Sequence, residues 1–235
     1  MAIQQKIPTV VLDTELSDKF FTIRLVARIT GYNFNYVKCG MYKGNPVAER
    51  KIDEAFQIIS DSPVFHQYIV GWDTMAVENE VKRLKIQENI QILFYDYLKI
   101  DEAGRGASEY QELGNLTNFL KNNIAGKLKI AVVAFAQQSD YTDSGMRIAD
   151  SARIKNYASC VMFMIPKKEE QFQRDFQELG GNYYLFIAFN RSGAQMTQER
   201  NSMGINIKVN KSNATFNEAQ YQNDEVLKLL EEYQE

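Results

Sequence analysis

The chain has 235 residues, 45% of them hydrophobic and 24% charged, which is ordinary for a globular domain that can bury a sizeable core. Its net charge of −3 argues against a protein that coats nucleic acid through overall charge, although local basic loops stay compatible with it. Two distant cysteines without metal-binding spacing fit a reducing compartment, and the lack of a long apolar run or signal-peptide pattern predicts a cytoplasmic protein without a membrane span.

The first half of the chain alternates strands with amphipathic helices. His66, the only histidine, has no nucleophile or metal-ligating partner within reach in the sequence, which is typical of a surface or strand histidine. The predicted elements are, in chain order, a buried strand at Thr9–Asp13, helices at Ser17–Thr30, Asn33–Gly40 and Pro46–Ser60, a strand at Phe65–Val70, a helix at Met75–Glu88 and a strand at Gln91–Tyr95.

The second half is richer in strands. Its predicted elements are a loop at Asp101–Ser108, a helix at Glu109–Asn123, a strand at Ile130–Ala136, a loop at Ser139–Gly145, a helix at Ala152–Asn156, a strand at Ser159–Ile165, a charged surface excursion at Pro166–Gly181, and strands at Tyr183–Phe189 and Met203–Val209. This order predicts an α/β fold: a mostly parallel sheet flanked by helices, with antiparallel strands at its C-terminal edge. We expect one domain over residues 1–218 and an acidic helix or tail over 219–235.

Polar side chains follow four of the predicted strands. Glu15 comes just after the first strand, and Asp96 ends the run QILFYD. Gln137 follows the run IAVVAFA, and Arg191 follows FIAFN. Ligands of open α/β sheets bind at the carboxyl ends of the strands. The order acid, acid, amide and arginine therefore indicates a binding or catalytic site at this edge.

Each of these residues also has a simpler interpretation. Asp96 could cap the turn that follows its strand, and Glu15 could complement the dipole of the next helix. Gln137 could be a polar strand end, with Gln138 as a competitor for any role, and Arg191 could be a turn residue. From spacing alone these alternatives stay open.

In order and spacing, the motifs resemble the C-terminal RecA-like ATPase domain of DnaB-type hexameric replicative DNA helicases. YDYLK at 95–99 is similar to the family's I-D-Y-L-Q, and DTEL at 13–16 is similar to S-L-E-M. Gln137 matches the glutamine of the S-Q motif, and FNRSG at 189–193 resembles K-N-R-x-G. The resemblance spans roughly residues 7–216, nearly the whole chain.

The resemblance implies a RecA-like fold, ATP and Mg²⁺ as cofactors, and a hexameric ring. Asp96 would hold the metal and bind the cofactor, and Glu15 would orient or deprotonate the attacking water. Gln137 would sense the γ-phosphate. Arg191 would reach the nucleotide of a neighbouring subunit and stabilise transition-state charge. Phe189 stands where the family has a lysine, so half of the finger pair is missing.

Two loops are candidates for binding single-stranded DNA through backbone N–H groups and a few cations. One covers 102–108 and carries Arg105. The other covers 140–151 and carries Arg147 and Ser151. The family's second loop continues as R-E-S-G-A-I-E, whereas ADSARIK at 149–155 keeps the serine and lacks the arginine and glycine. Ordinary solvated loops are the alternative.

One family motif is missing. A strand and the P-loop G-x-x-x-x-G-K-[ST] precede the family segment that matches residues 1–6, and no such loop occurs in the 235 residues. We therefore expect a fragment or split-gene half in a bacterial or phage-infected cell, inactive alone and completed by a separate polypeptide. The sheet should then have an unusual edge beside the strand ending in Gln137. An inactive RecA-like accessory subunit and a recombinase-type ATPase are the alternatives.

Overall fold

The computed structural model describes residues 2–98, 109–136, 151–196 and 204–224, together with Lys228, Glu231 and Glu232. Contacts between Cα atoms divide the chain into two compact units. Among the described residues, the first unit runs to Tyr157 and the second begins at Ala158. Each unit contains one four-stranded sheet.

The first unit contains seven helices and four strands among its described residues, as well as a π-helical segment at Leu120–Lys127 that continues α6. The helices and strands are α1 (Ala2–Gln5), β1 (Thr9–Asp13), α2 (Asp18–Thr30), α3 (Phe34–Lys38), α4 (Pro46–Ser60), β2 (Val64–Tyr68), α5 (Thr74–Glu88), β3 (Ile92–Asp96), α6 (Glu109–Phe119), β4 (Ala131–Ala134) and α7 (Ser151–Tyr157).

All four strands of the first sheet run parallel, in the order β2-β1-β3-β4. Strand β1 is central, and its last residue, Asp13, is in register with Asp96 at the end of β3. Val10, Leu12 and Leu93 are fully buried, as expected for parallel strands with both faces covered. The carboxyl ends of β1 and β3 therefore meet at one edge of the sheet.

Local sequence explains where the helices begin and end. Helix α2 ends at Gly31, which adopts a left-handed conformation (φ 76°) that glycine tolerates best. Asn45 caps α4 by accepting from two backbone N–H groups, with Pro46 in the first turn. Helix α5 begins at Thr74, one residue before the predicted start, because the side chain of Asp73 caps it. Helices α2, α3 and α4 share one buried apolar cluster.

Strand β4 lies at the edge of the sheet despite an apolar sequence. It pairs with β3 on one side, and no described strand pairs with its other side. Residues 130–136 contain no charge and no proline, yet Val133 is 40% exposed and Phe135 is 47% exposed. Natural edge strands usually carry charges, prolines or bulges that block further pairing. Strand β4 therefore has the composition of a central strand in an edge position.

The second unit is built around an antiparallel sheet of order β5-β6-β7-β8. Its elements are β5 (Cys160–Pro166), α8 (Glu169–Arg174), a 3₁₀ turn at Gln177–Leu179, β6 (Tyr183–Asn190), β7 (Ile205–Asn210) and β8 (Thr215–Glu218). The predicted α/β class, with a parallel sheet flanked by helices and antiparallel C-terminal strands, is confirmed. The antiparallel strands form a sheet of their own, to which β8 adds a strand that the sequence did not predict.

The segment predicted as a charged surface excursion contains a buried ion pair. The Lys167 side chain is fully buried, with Nζ 2.9 Å from Asp175 Oδ2 and 2.7 Å from the carbonyl oxygen of Gly180. Tyr184 donates its hydroxyl to Asp175 and accepts from Arg174. Most of the segment is exposed, as predicted. The buried pair was not predicted, because charge in the sequence does not reveal partners eight or more residues apart. None of the described helices is long and apolar enough to cross a membrane.

Candidate functional site at the carboxyl edge of the parallel sheet

The ends of β1 and β3 are tied together by backbone contacts. The N–H of Thr14 donates to the carbonyl oxygen of Asp96 at 2.7 Å, and the N–H of Tyr97 lies 3.4 Å from Thr14 Oγ1. The Asp96–Tyr97 peptide bond is cis. These contacts extend the pairing of the two strands by one residue and bring Glu15 and Asp96 to the same edge.

A cleft of about 290 Å³ opens at this edge. It is lined by Glu15 and Asp96 on the acidic side and by Tyr97, Phe135 and Ala136 on the other. The carboxylate of Glu15 belongs to an exposed side chain, while Asp96 is half-buried. The two acids that the sequence assigned to one site are therefore neighbours around one cleft.

The surroundings of Asp96 disfavour its charge. Burial raises the pKa of Asp96, and the nearby negative charges of Asp13 and Glu15 raise that pKa further. Arg24, on α2, opposes the shift. A cation bound in the cleft would stabilise the ionised form of a carboxylate in this environment.

Asp13 belongs to the site although the sequence treated it only as a strand residue. It is 1% exposed, and its Oδ1 accepts the N–H of Glu15 at 2.7 Å and of Leu16 at 2.6 Å. An aspartate two residues before the residue of interest is the sequence signal of such a side-chain-stabilised turn. The turn that presents Glu15 is therefore built on Asp13.

His66 lies behind this turn. It is in strand β2, as predicted, but its side chain is only 7% exposed. Its Nε2 lies 3.5 Å from Asp13 Oδ2, and its Nδ1 lies 2.6 Å from Asp18 Oδ1. The ring stacks on Phe21 with centroids 4.1 Å apart. These partners are distant in sequence, which is why no local pattern revealed them.

The described residues do not form a complete metal cage. Among them, no group of three or more His, Cys, Asp and Glu side chains is arranged to hold an ion. Asp96 alone, with Glu15 nearby, fits a magnesium ion that keeps several waters and takes its other ligands from nucleotide phosphates. The raised pKa of Asp96 is consistent with that fit, because a bound cation would offset the crowding of negative charge.

Arg191 lies in the second unit, just after β6. Its backbone N–H donates to the carbonyl oxygen of Ser159 at 2.9 Å, and its exposed guanidinium lies 3.4 Å from the carbonyl oxygen of Ala158. The backbone and the exposed side chain thus both contact the residues that precede β5. A guanidinium is the side-chain group best suited to bidentate phosphate binding.

Three of the predicted site residues, Gln137, Arg105 and Arg147, lie outside the described residues. Ser151 begins helix α7, and its side chain is also outside them. The structure therefore brings together Glu15 and Asp96, adds Asp13 and His66 beside them, and leaves the sensor and DNA loops as predictions.

Relatives in sequence are replicative helicases. A protein from Treponema pallidum named replicative DNA helicase DnaB is 28% identical over 175 residues, which cover 72% of this chain and 39% of that protein. A probable plasmid replicative DNA helicase from Chlamydia muridarum is 24% identical over 179 residues, covering 72% of this chain and 38% of the relative. The chain thus spans about two fifths of the length of these relatives.

Solved structures share the fold. The ATPase domain of G40P superposes with a TM-score of 0.74 at 17% identity, covering 90% of this chain and 74% of that one. A DnaB-like replicative helicase, studied with its primase interactions, superposes with a TM-score of 0.72 at 17% identity, covering 90% and 50%. The family model described as the DnaB-like helicase C terminal domain matches residues 1–207. The chain therefore belongs to the family of DnaB-like helicase C-terminal domains.

Proposed function

We propose that this chain is the greater part of an ATP-driven replicative helicase motor, which hydrolyses ATP to move along single-stranded DNA. The observation that carries the proposal is the pair Glu15 and Asp96 around one cleft at the carboxyl edge of the sheet. Relatives named replicative DNA helicases support the same reading. Residues 1–218 are proposed as the motor domain, working in the cytoplasm as a hexameric ring.

The proposed roles follow from the chemistry of each side chain. Asp96 would hold Mg²⁺, which would neutralise developing phosphate charge when bound with ATP. Glu15 is exposed to the cleft and would orient or deprotonate water as a general base. Gln137 would sense the γ-phosphate. Arg191, anchored through its backbone, would stabilise the transition state of a neighbouring subunit's nucleotide.

We further propose that a segment outside these 235 residues, on the same or on another polypeptide, supplies the phosphate-binding loop. Strand β4 supports this idea. It is apolar along its length, Val133 and the following Phe135 are exposed, and one of its sides pairs with no described strand. A parallel strand with apolar residues on both faces would satisfy its backbone groups and cover those side chains. Without that strand, the chain would remain an inactive accessory subunit.

Complementation tests this proposal. The purified chain alone should hydrolyse Mg²⁺–ATP negligibly. Adding or co-expressing a segment that carries an apolar strand followed by G-x-x-x-x-G-K-[ST] should produce a stable complex and turnover. The matched control is the same segment with its P-loop lysine changed to alanine, which should still bind but give no turnover. Strong hydrolysis by the chain alone, or a complex that never turns over, would contradict the proposal.

The DNA loops carrying Arg105, Arg147 and Ser151 are proposed to bind single strands weakly. Each phosphate neutralised by a cation contributes about −0.7 to the slope of log affinity against log salt. Changing Arg105 and Arg147 to glutamine together should therefore flatten the slope by about 1.4 for an oligothymidine, measured by fluorescence anisotropy. An unchanged slope would reassign DNA binding to other residues.

A further inference from the structure

The turn that carries Glu15 is held by a buried carboxylate. Both N–H groups at the start of this turn, from Glu15 and Leu16, donate to the same oxygen of Asp13. Hydrogen bonds to a charged acceptor are about twice as strong as neutral ones. The Asp13 carboxylate therefore determines where the backbone of Glu15 lies relative to the end of β1.

His66 lies beside Asp13. Its Nε2 is 3.5 Å from Asp13 Oδ2 and has no hydrogen-bond partner among the described residues. Its Nδ1 lies 2.6 Å from Asp18 Oδ1, and its ring stacks on Phe21. The Asp13 carboxylate of β1 therefore faces a ring of β2, which packs in turn against α2.

Stability alone does not explain this arrangement. A buried charge costs free energy unless it is paired and hydrogen-bonded, and replacing such groups by apolar side chains is often neutral or stabilising. The negative charge of Asp13 also raises the pKa of Asp96 on the neighbouring strand, which is a further cost. What the carboxylate provides in return is a fixed conformation of the turn.

We propose that Asp13 is a positioning residue for the reaction of Glu15. This inference rests on the proposed function, in which Glu15 acts on water. A general base must lie within hydrogen-bond reach of its proton, and a misplacement of about 1 Å can lower a rate 10²-fold. Asp13 acts through the backbone of Glu15 and contacts no substrate.

The position of the turn can be tested without any ATP turnover. Hydrogen exchange of the Glu15 and Leu16 amides would be measured by NMR in the whole chain, relative to the buried core residue Leu93. Asp13→Ala removes both acceptors and should accelerate these amides by about 10-fold or more, since each loses its hydrogen bond. Asp13→Asn keeps an acceptor oxygen and should stay within about 3-fold of wild type. Unchanged exchange in Asp13→Ala would overturn the inference.

The positioning role is tested by turnover in the complemented protein. Asp13→Ala should lower kcat about 10-fold with KM changed less than about 2-fold, because the lost interaction affects the base and not nucleotide binding. In a Glu15→Gln background, Asp13→Ala should cause almost no further loss, since residues that act as a unit are not additive. Additive losses, or a matching rise in KM, would show a merely structural role.

Asp18→Asn provides the matched control. It changes an exposed carboxylate that accepts neither the Glu15 nor the Leu16 N–H, so turnover should stay near wild type. If the complemented wild-type protein shows no turnover, the proposed function and this role fail together. Normal turnover with an active Asp13→Ala variant overturns this role alone.

Discussion

Each unit contains a cluster of charged side chains, and the two clusters shift the pKa of their aspartates in opposite directions. At the carboxyl edge of the parallel sheet, burial and two neighbouring carboxylates raise the pKa of Asp96. In the second unit, burial alone would raise the pKa of Asp175, but hydrogen bonds from Tyr184, Lys167 and Arg174 together lower it. The first cluster places three carboxylates close together, and the second surrounds one carboxylate with hydrogen-bond donors.

The difference distinguishes a cluster with room for a ligand from a cluster whose charges are paired within the chain. Around Asp175, every donor is already paired within the chain, so a ligand would have to displace an existing partner. Around Asp96, Arg24 is the only described cation that opposes the effect of Asp13 and Glu15, and the cleft beside them is open to solvent. A shifted pKa points to a functional site when the charge is left without a partner within the chain, and to a structural role when the fold supplies that partner.

The largest expected effect concerns turnover. In the complemented protein, Glu15→Gln and Asp96→Asn should each lower ATP hydrolysis by about 10²-fold or more, because a general base or a metal ligand is lost. Asp175→Asn should lower hydrolysis only as far as it reduces the folded fraction. Steady-state assays corrected for folded protein distinguish the two. Rates close to wild type in both Glu15→Gln and Asp96→Asn would show that the acids at the carboxyl edge have no catalytic role.

The next effect concerns the stability of the second unit. Asp175→Asn leaves the fully buried Lys167 ammonium without its charged partner and should destabilise this unit by about 3 kcal/mol. Hydrogen exchange of β5 and β6 amides is the suitable measurement, because the only tryptophan, Trp72, lies in the first unit. The matched control is Glu178→Gln, which breaks an exposed pair with Lys208 and should change little. Equal effects of both variants would contradict the buried-pair assignment.

A smaller effect is expected at the tyrosine of the same network. Tyr184→Phe keeps the ring but removes the hydroxyl that donates to Asp175 and accepts from Arg174. The loss should be about 1 kcal/mol, since Lys167 still pairs with Asp175. The same exchange experiment measures it. A loss as large as that of Asp175→Asn would mean that the hydroxyl, and not the ion pair, dominates the network.

The smallest effect is a pH dependence of opposite sign in the two clusters. A raised carboxyl pKa gives stability below the unfolded value, about 3.9, that is lost as pH rises through the folded pKa. Asp96→Asn should therefore raise the melting temperature by about 2 °C at pH 7 and by less at pH 4. For Asp175, whose pKa is lowered, stability is present above the unfolded value and is lost as pH falls through the folded pKa. Thermal unfolding of Asp96→Asn and Asp175→Asn between pH 4 and pH 7 tests this contrast. Equal changes of melting temperature with pH in the two variants would refute it.

Sequence patterns were sufficient for the strands that carry the site. Apolar runs followed by single acids located β1 and β3 and brought Glu15 and Asp96 to one edge, because the carboxyl ends of parallel strands share that edge. The packing of His66 beside Asp13 could not be found this way. His66 is 53 residues from Asp13, and only the register of β1 with β2 brings them together.

The other discrepancies have the same origin. Charged residues such as Lys167 and Asp175 look solvent-exposed in a sequence, since burial depends on partners that the local pattern does not show. The predicted helix at Glu109–Asn123 ends instead in a π-helical segment, because the sequence pattern registers helical periodicity but not which carbonyl each N–H reaches. Local propensity thus located the elements, and tertiary contacts decided their details.

The edge of β4 that pairs with no described strand has a consequence for the fate of the protein in a cell. Newly made molecules would present an uncharged, hydrogen-bonding edge that other chains can join, so unpartnered copies would be prone to self-association and to recognition by chaperones and proteases. The amount of chain that accumulates would then follow the supply of whatever covers this edge.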